Sequence, residues 1–263
     1  MSLPEPNERF TRRQLALATL TGAVAGGAWG AAIQALAKPS SPSLSLVGKG
    51  NSQVALIDTT RVRVLILLGP ANADLIEIVP AMLTLVRQRL DIVIGSSTAI
   101  ERLPAGFLSH WRTAHQFAIP TSDSPSPGSR LQTPVIEDYV IDLGDDAKLE
   151  IHRSTRDAWD TAKATQHLWL VTARFGSASL LLAPDSQSAD VLAERGASLL
   201  AVPGGDAGHM SRLLSPASLA MNANDGLSPL PGMPLVRIFP TDIARFTIKG
   251  GHVALPSWTV TVT

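Results

Sequence analysis

The order of apolar runs along the chain constrains its fold most strongly. The β-rich runs QVALIDTT and VRVLILLG lie on either side of a short turn, and strand and helix patterns follow them. The same order returns in the second half, where HLWLVTARFG and SASLLLAPD flank a turn and strand–helix units follow. Such runs predict strands, and the short turns between them predict hairpins. Two halves of this kind predict two sheets packed face to face with helices on the outside.

The composition indicates a packed core and excludes several chemistries. Of the 263 residues, 45% are apolar and 17% are charged, which is typical of a globular domain. The chain contains no cysteine, which excludes disulfides, zinc–thiolate sites, iron–sulfur clusters and thiol nucleophiles. Its formal net charge is zero, so its overall field does not attract nucleic acid, and we do not expect nucleic acid as a partner.

The N-terminal segment has the pattern of an export signal. The paired arginines Arg12 and Arg13 precede an apolar stretch rich in alanine and glycine, and this arrangement resembles a twin-arginine signal. We therefore predict that residues 1–37 form a signal peptide or a membrane anchor. Residues 14–37 are uncharged and long enough to span a bilayer if they are not cleaved.

The rest of the chain then divides into a linker and one domain. Residues 38–45 are rich in proline and serine and predict a linker, and residues 46–263 are expected to form the domain. With an export signal in front of it, the domain is expected at the extracytoplasmic face of the cytoplasmic membrane or in the periplasm. The expected partner is another protein, either on its own or as part of a membrane complex.

The domain resembles a known family in the order of its elements. The matching segments include NSQVALIDTTRVRVLILLGP, LWLVTARFGSASLLLAPD and ARFTIKGGHVALPSW, and the resemblance extends over about residues 46–255. In this order they resemble the metallo-β-lactamase fold, in the version found as the soluble domain of the ComEC DNA-uptake proteins. The resemblance implies an α/β (α+β) fold, a four-layer αββα sandwich.

The resemblance also implies a two-metal site, but this sequence lacks most of its ligands. The family has a His-x-His-x-Asp-His cluster directly after a buried strand, because imidazoles and a carboxylate must converge on the metals. The corresponding positions here hold Ser96, Thr98, Ile100 and Glu101. A later His-His-Gly loop of the family corresponds to Gly204 or Gly205, and an aspartate of its first hairpin corresponds to Leu67 or Leu68.

A few polar residues remain as candidates for a vestigial site. Asp185 matches the family's metal-bridging aspartate, and Glu101, Asp206 and His209 are the other candidates. We interpret Asp185 as the cap of the following helix, or as fixing the turn before it, and Asp206 as a turn or cap residue. His209 is expected to pair with Asp206 or Asp185 if a site has been rebuilt. We predict no metal, no cofactor and no catalytic residue.

These observations leave three hypotheses about function. The first is a non-catalytic, extracytoplasmic domain, exported or membrane-tethered, that acts as a binding module or an assembly subunit. The second is a hydrolase, dependent on a metal or not, with a rebuilt site. The third is nucleic-acid handling related to DNA uptake, which the neutral charge does not favour.

Overall fold

The computed structural model describes most of the chain after its N-terminal segment. The described residues are 41–70, 72–82, 89–104, 107, 115–120, 132–157, 165–223, 232–240 and 242–260. Pro39–Thr263 forms one compact unit. The predicted signal or anchor, with Arg12 and Arg13, lies outside the described residues. Among the helices that are described, none has the length and hydropathy needed to cross a membrane.

The first sheet is built mainly from the first half of the chain. In the described part it has the order β15-β14-β1-β2-β3-β4-β5-β6, with β16 also paired to β14. Antiparallel pairing joins β14, β1, β2 and β3, and parallel pairing joins β3 to β6. The strands are β1 Ser43–Lys49, β2 Ser52–Asp58, β3 Arg63–Leu68, β4 Ile92–Ser96, β5 His115–Ile119, β6 Gln132–Pro134, β14 Asp242–Lys249, β15 His252–Val253 and β16 Ser257–Val260.

The second sheet repeats this plan in the second half. Its order is β13-β12-β11-β10-β9-β8-β7 over the part of the chain that the structure describes. An antiparallel set, β7 to β10, continues into a parallel set, β10 to β13. The strands are β7 Tyr139–Gly144, β8 Ala147–Asp157, β9 Thr165–Phe175, β10 Ala178–Leu182, β11 Leu199–Val202, β12 Leu219–Asn222 and β13 Leu235–Ile238.

Three apolar clusters define four layers. The largest lies between the two sheets and includes Ile66 of β3 and Val171 of β9. The second packs the helices α1 (Ala73–Met82) and α2 (Ser97–Glu101) on the outer face of the first sheet. The third packs the helices α3 (Ser186–Leu192) and α4 (Ala207–Leu214) on the second sheet. The predicted fold class, an α/β four-layer αββα sandwich, is confirmed.

The structure corrects one predicted boundary. The linker predicted for residues 38–45 overlaps β1, which begins at Ser43 and pairs with both β2 and β14. The helix α3 ends at Leu192, because Ala193 has an extended backbone conformation. The segment ARFTIKGGHV forms a hairpin, in which β14 pairs with β15 around two glycines at positive φ, Gly250 and Gly251.

Candidate functional site

The ends of strands from both sheets meet around the turn between β1 and β2. Gly69 follows β3 and has a φ of 82°, and a Cβ there would overlap the backbone oxygen of Asn51 in that turn. On the other sheet, a Cβ at Gly204 would lie 3.6 Å from Oδ1 of Asn51. Asn51 therefore lies between the loops that follow β3 and β11. Strand ends of α/β proteins commonly carry binding or catalytic residues, so this region is the candidate site.

A buried amide connects the two sheets beside this turn. Nδ2 of Asn222, at the end of β12, donates hydrogen bonds of 2.8 Å to the backbone oxygens of Gly50 and Ser52. Its Oδ1 accepts a hydrogen bond of 3.2 Å from Nε2 of Gln53. Asn222 and Gln53 are both almost fully buried. The polar side chains at this point thus join the sheets to each other.

The loop after β4, where the resemblance implies a histidine cluster, forms the start of a short helix. Oγ of Ser96 accepts a hydrogen bond of 3.1 Å from the backbone amide of Ala99 and caps α2. The hydroxyls of Ser96 and Thr98 lie 3.2 Å apart, within hydrogen-bond distance. Ile100 is buried in the apolar cluster under the helices, and Glu101 is exposed at the end of α2. These residues begin a helix and pack it onto the sheet.

Asp185 and Asp206 are both helix caps. Oδ1 of Asp185 accepts a hydrogen bond of 2.6 Å from the amide of Ser188, at the start of α3. Oδ1 of Asp206 accepts one of 3.0 Å from the amide of His209, at the start of α4. This amide of His209 is the main reason that the pKa of Asp206 lies below its ordinary value. The interpretation of both aspartates as caps is confirmed, and each explains why its helix begins where it does.

The imidazole of His209 has a partner that the sequence did not indicate. Its Nε2 lies 3.3 Å from Oδ2 of Asp190, a residue of α3. Both side chains are partly exposed, and Oδ1 of Asp190 is buried with no hydrogen-bond partner among the residues that the structure describes. The sequence predicted Asp185 or Asp206 as the partner of His209. That prediction is corrected, because both of those carboxylates are turned toward backbone amides.

The two outer helices approach each other beside this pair. Gly205, in the loop before α4, has a φ of 135°, and a Cβ there would lie 2.7 Å from Cβ of Ser186. A side chain at this position would therefore collide with the start of α3. Because β10 and β11 pair in parallel, the helices that follow them begin side by side, and Asp190 and His209 lie within reach of each other.

The residues at the strand ends do not fit the metal centre that the resemblance implies. Where that centre needs imidazoles and carboxylates, the structure has a capping serine, a buried isoleucine and two glycines. Leu67 and Leu68, at the position of the hairpin aspartate, are buried in apolar clusters. Within the described ranges, no three residues among histidines, aspartates and glutamates are grouped so that they could hold a metal ion. The carboxylate of Asp185 instead accepts a hydrogen bond from a backbone amide of α3.

Basic residues near the sheet edges are paired with carboxylates. Arg61 lies 3.2 Å from Asp145, and the buried Arg63 lies 2.9 Å from Asp58. Nε of Arg89 lies 2.6 Å from Asp91. The charges of these three arginines are therefore compensated by neighbouring carboxylates.

The fold resembles those of solved proteins, while sequence comparison finds no match. No protein-family model and no curated protein matches the chain. The metallo-beta-lactamase fold protein YhfI from Bacillus subtilis is similar in structure, with a TM-score of 0.48, 13% identity, and coverage of 68% of this chain and 85% of YhfI. CmlA, a diiron beta-hydroxylase from Streptomyces venezuelae, has a TM-score of 0.48 and 13% identity, with 80% of this chain and 55% of CmlA covered. The likeness is one of fold alone.

Proposed function

We propose that this chain is a non-catalytic, extracytoplasmic domain that binds another protein or serves as an assembly subunit. The observation that carries the proposal is the use of the polar groups at the strand ends. Ser96, Asp185 and Asp206 each accept a hydrogen bond from an amide of their own helix. Asn222 is held by three hydrogen bonds within the core. Side chains used in this way stabilise the fold, and this structural role accounts for their presence without any chemistry.

The proposal includes an origin and a location. The domain is a ComEC-type member of the metallo-β-lactamase fold whose metal ligands have been replaced. The twin-arginine pattern at Arg12 and Arg13 directs export of the domain across the cytoplasmic membrane. Residues 14–37 anchor the domain in this membrane if they are not cleaved. Selection for folding and for surface contacts, without selection for chemistry, would retain the core while the residues of the site are replaced.

The experiment that tests the proposal measures metal content and hydrolysis together. The protein is purified after export, and zinc, manganese and iron are determined by elemental analysis. Hydrolysis of a β-lactam and of a phosphodiester is measured with and without added metal. We expect less than stoichiometric metal and no turnover above the rate without protein. One equivalent of metal that is lost in Asp185→Ala but retained in a matched variant of an exposed aspartate, Asp146→Ala, would overturn the proposal.

A second candidate function is a metal-independent hydrolase, and the pair of Asp190 and His209 favours it. A carboxylate at 3.3 Å from Nε2 orients the imidazole, which leaves Nδ1 to accept a proton from water or a hydroxyl. If this candidate is correct, turnover is detectable in the same assays and falls in both His209→Ala and Asp190→Asn. Turnover in the parent protein that is unchanged in these variants would exclude the pair as its source.

The binding role is tested by co-purification from solubilised membranes with residues 1–37 intact. We expect a protein partner that stays bound through size-exclusion chromatography and is absent from a control preparation lacking the chain. Binding to nucleic acid, the third hypothesis, is tested on the same sample with labelled single- and double-stranded DNA. Stable DNA binding at physiological salt without a protein partner would replace the proposal by that hypothesis.

A further inference from the structure

Exposed apolar side chains are concentrated at one edge of the second sheet. Ile136 is 71% exposed, and it is followed closely by Tyr139 at 41% and Val140 at 64%. Tyr139 and Val140 belong to β7, the last strand of its sheet, and no other described strand pairs with its outer edge. We propose that this edge binds an extended segment of a partner protein as an added strand, in which basic residues flank apolar ones. The inference rests on the proposed binding function and names its surface.

The backbone of β7 offers hydrogen-bonding groups at this edge. The amide of Arg153 on β8 donates a hydrogen bond of 2.9 Å to Oδ1 of Asp138, so it points from β8 toward the side of β7. Amides along a strand alternate in direction, so that of Ile151 also points toward β7, where Ile151 pairs with Tyr139. The next residue of β7, Val140, therefore directs its N–H and C=O away from β8. An incoming strand can pair with these groups without breaking the hairpin.

The charge of this segment selects the partner. Residues 136–146 contain no lysine, arginine or histidine, and their acidic residues are Glu137, Asp138, Asp142, Asp145 and Asp146. Asp145 is paired with Arg61, and Asp138 lies 3.5 Å from His152. Asp142 lies opposite Lys148, whose ammonium is paired with Glu150. Asp138 and Asp142 lie two residues before and after Val140, so all three lie on one face of the strand. Antiparallel pairing with a second copy, centred on Val140, would set Asp138 of one copy opposite Asp142 of the other. Like charges directly opposite destabilise a sheet, whereas lysine or arginine at these positions would stabilise it.

The two faces of the strand define the apolar part of the partner. The ring of Tyr139 packs on Phe117 of the first sheet with a centroid distance of 5.1 Å, so Tyr139 faces the side of the core. Val140 faces outward, opposite Glu150 on β8. Glu150 is paired with Lys148 and Arg174, whose hydrogen bonds outweigh burial and lower its pKa. An apolar residue of the partner opposite Val140 therefore lies beside Val140 and near the paired carboxylate of Glu150. Its two neighbours in sequence lie on the other face of the strand, the side of Tyr139, and are expected to be apolar as well.

These features predict a five-residue pattern of basic, apolar, apolar, apolar and basic residues. The probe is a labelled peptide, Lys-Val-Val-Val-Lys with glycine at both ends, and its binding is measured by fluorescence anisotropy. One control peptide carries glutamate in place of both lysines. A second carries an N-methyl group on the central valine, which removes the amide that pairs with Val140. We expect saturable binding of the lysine peptide and binding that is weaker by roughly tenfold or more for both controls.

Two variants of the protein locate the binding. Val140→Pro removes the outward N–H, and proline is tolerated on edge strands because this amide has no partner in the sheet. Asp142→Asn removes one charge while its Oδ1 can still accept the hydrogen bond of 2.7 Å from the amide of Gly144. We expect Val140→Pro to weaken binding about tenfold and Asp142→Asn to weaken it mainly at low salt. Val191→Ala changes an apolar residue of α3 that is 43% exposed, and it serves as the matched control with unchanged binding.

The outcomes separate this inference from the proposed function. Equal binding of the lysine and glutamate peptides, or no saturable binding by a folded protein, would overturn the assignment to β7. A dimer of the chain that dissociates in Val140→Pro would also overturn it, since a second copy would then occupy the edge. None of these results bears on the metal and hydrolysis assays. Conversely, turnover in those assays would overturn the non-catalytic function while peptide binding at β7 could persist.

Discussion

The side-chain amide of Asn222 occupies the space that a side chain at residue 48 would need. Gly48 lies on β1 of the first sheet and Asn222 at the end of β12 of the second, and a Cβ at Gly48 would overlap Oδ1 of Asn222. The glycine therefore permits the contact through which Asn222 binds the backbone of the β1–β2 turn. The two sheets are thus connected by polar contacts at the candidate site as well as by the apolar core.

We expect Gly48→Ala to destabilise the protein by about 3 kcal/mol. The added methyl group must displace the amide of Asn222, which adds strain and leaves buried polar groups without partners. The free energy of unfolding in urea measures the effect. The control is Gly204→Ala in the same region, where a Cβ would make only an ordinary contact of 3.6 Å with Asn51. Equal stability of the two variants would contradict this account of Gly48.

Asp185→Ala is expected to cost about 0.5–2 kcal/mol of stability, because α3 loses its N-terminal cap. Asp185→Asn keeps an oxygen that can accept the hydrogen bond from the amide of Ser188, so we expect it to cost much less. The free energies of unfolding of the parent and both variants, from thermal or chemical unfolding, measure these two costs. A loss of the same size in both variants would show that the charge of Asp185 matters, and not its role as a cap.

The stability of the protein is expected to fall as the pH is lowered below about 6.5, and His167 contributes to this fall. Burial, and then the positive charge of Arg153, lower the pKa of His167 in the folded protein. Nη2 of Arg153 lies 2.8 Å from Nδ1 of His167, so the ring accepts this hydrogen bond in its neutral form. Since the unfolded chain takes up the proton at a higher pH, the contribution is complete above the unfolded pKa and is lost as the pH falls through the folded pKa.

The variant that checks this is His167→Asn, whose Oδ1 can accept from Arg153 and does not titrate. We expect the difference in unfolding free energy between the parent and this variant to change as the pH falls below about 6.5. The other histidines are the same in both proteins, so their titration cancels. A difference that is independent of pH in this range would rule out the contribution of His167.

Export is expected to depend on both arginines of the N-terminal pattern. Replacing Arg12 and Arg13 by lysine keeps the charge but removes the pair that the twin-arginine receptor reads, so the precursor should remain in the cytoplasm. The distribution of the protein between cytoplasmic and extracytoplasmic fractions measures this. Arg9→Lys, a change outside the pair, is the control and should leave export intact. Normal export of the double variant would show that the signal assignment is wrong.

Local patterns were sufficient to predict the layers of the fold and the caps of two helices. Hairpins and strand–helix units depend on periodicity over a few residues, and this periodicity is visible in the sequence. Asp185 accepts a hydrogen bond from the amide of Ser188, and Asp206 accepts one from the amide of His209. In each case the two residues are three positions apart. Interactions of such short range can be predicted because their geometry depends on the helix itself.

The boundary of the domain was predicted less well because one strand depends on distant partners. β1 begins within a segment rich in proline and serine, where its alternation is weak. It pairs with β2 in a hairpin and also with β14, and Arg245 of β14 donates a hydrogen bond to Ser45, 200 residues away. The pattern of β1 alone could not indicate a partner so far along the chain.

The sequence by itself therefore determined the two halves and their strand and helix order. Only the tertiary structure decided what surrounds the site. It brings Asp190 to His209 through the packing of two helices, and Asn222 to Ser52 across 170 residues. It also places β7 at the edge of its sheet, so that Val140 is exposed. In the interior of a sheet, the same strand would be covered by a neighbour on each side. The physical reason is that pairing and exposure depend on which surfaces the fold brings together, and residue spacing along the chain does not record this.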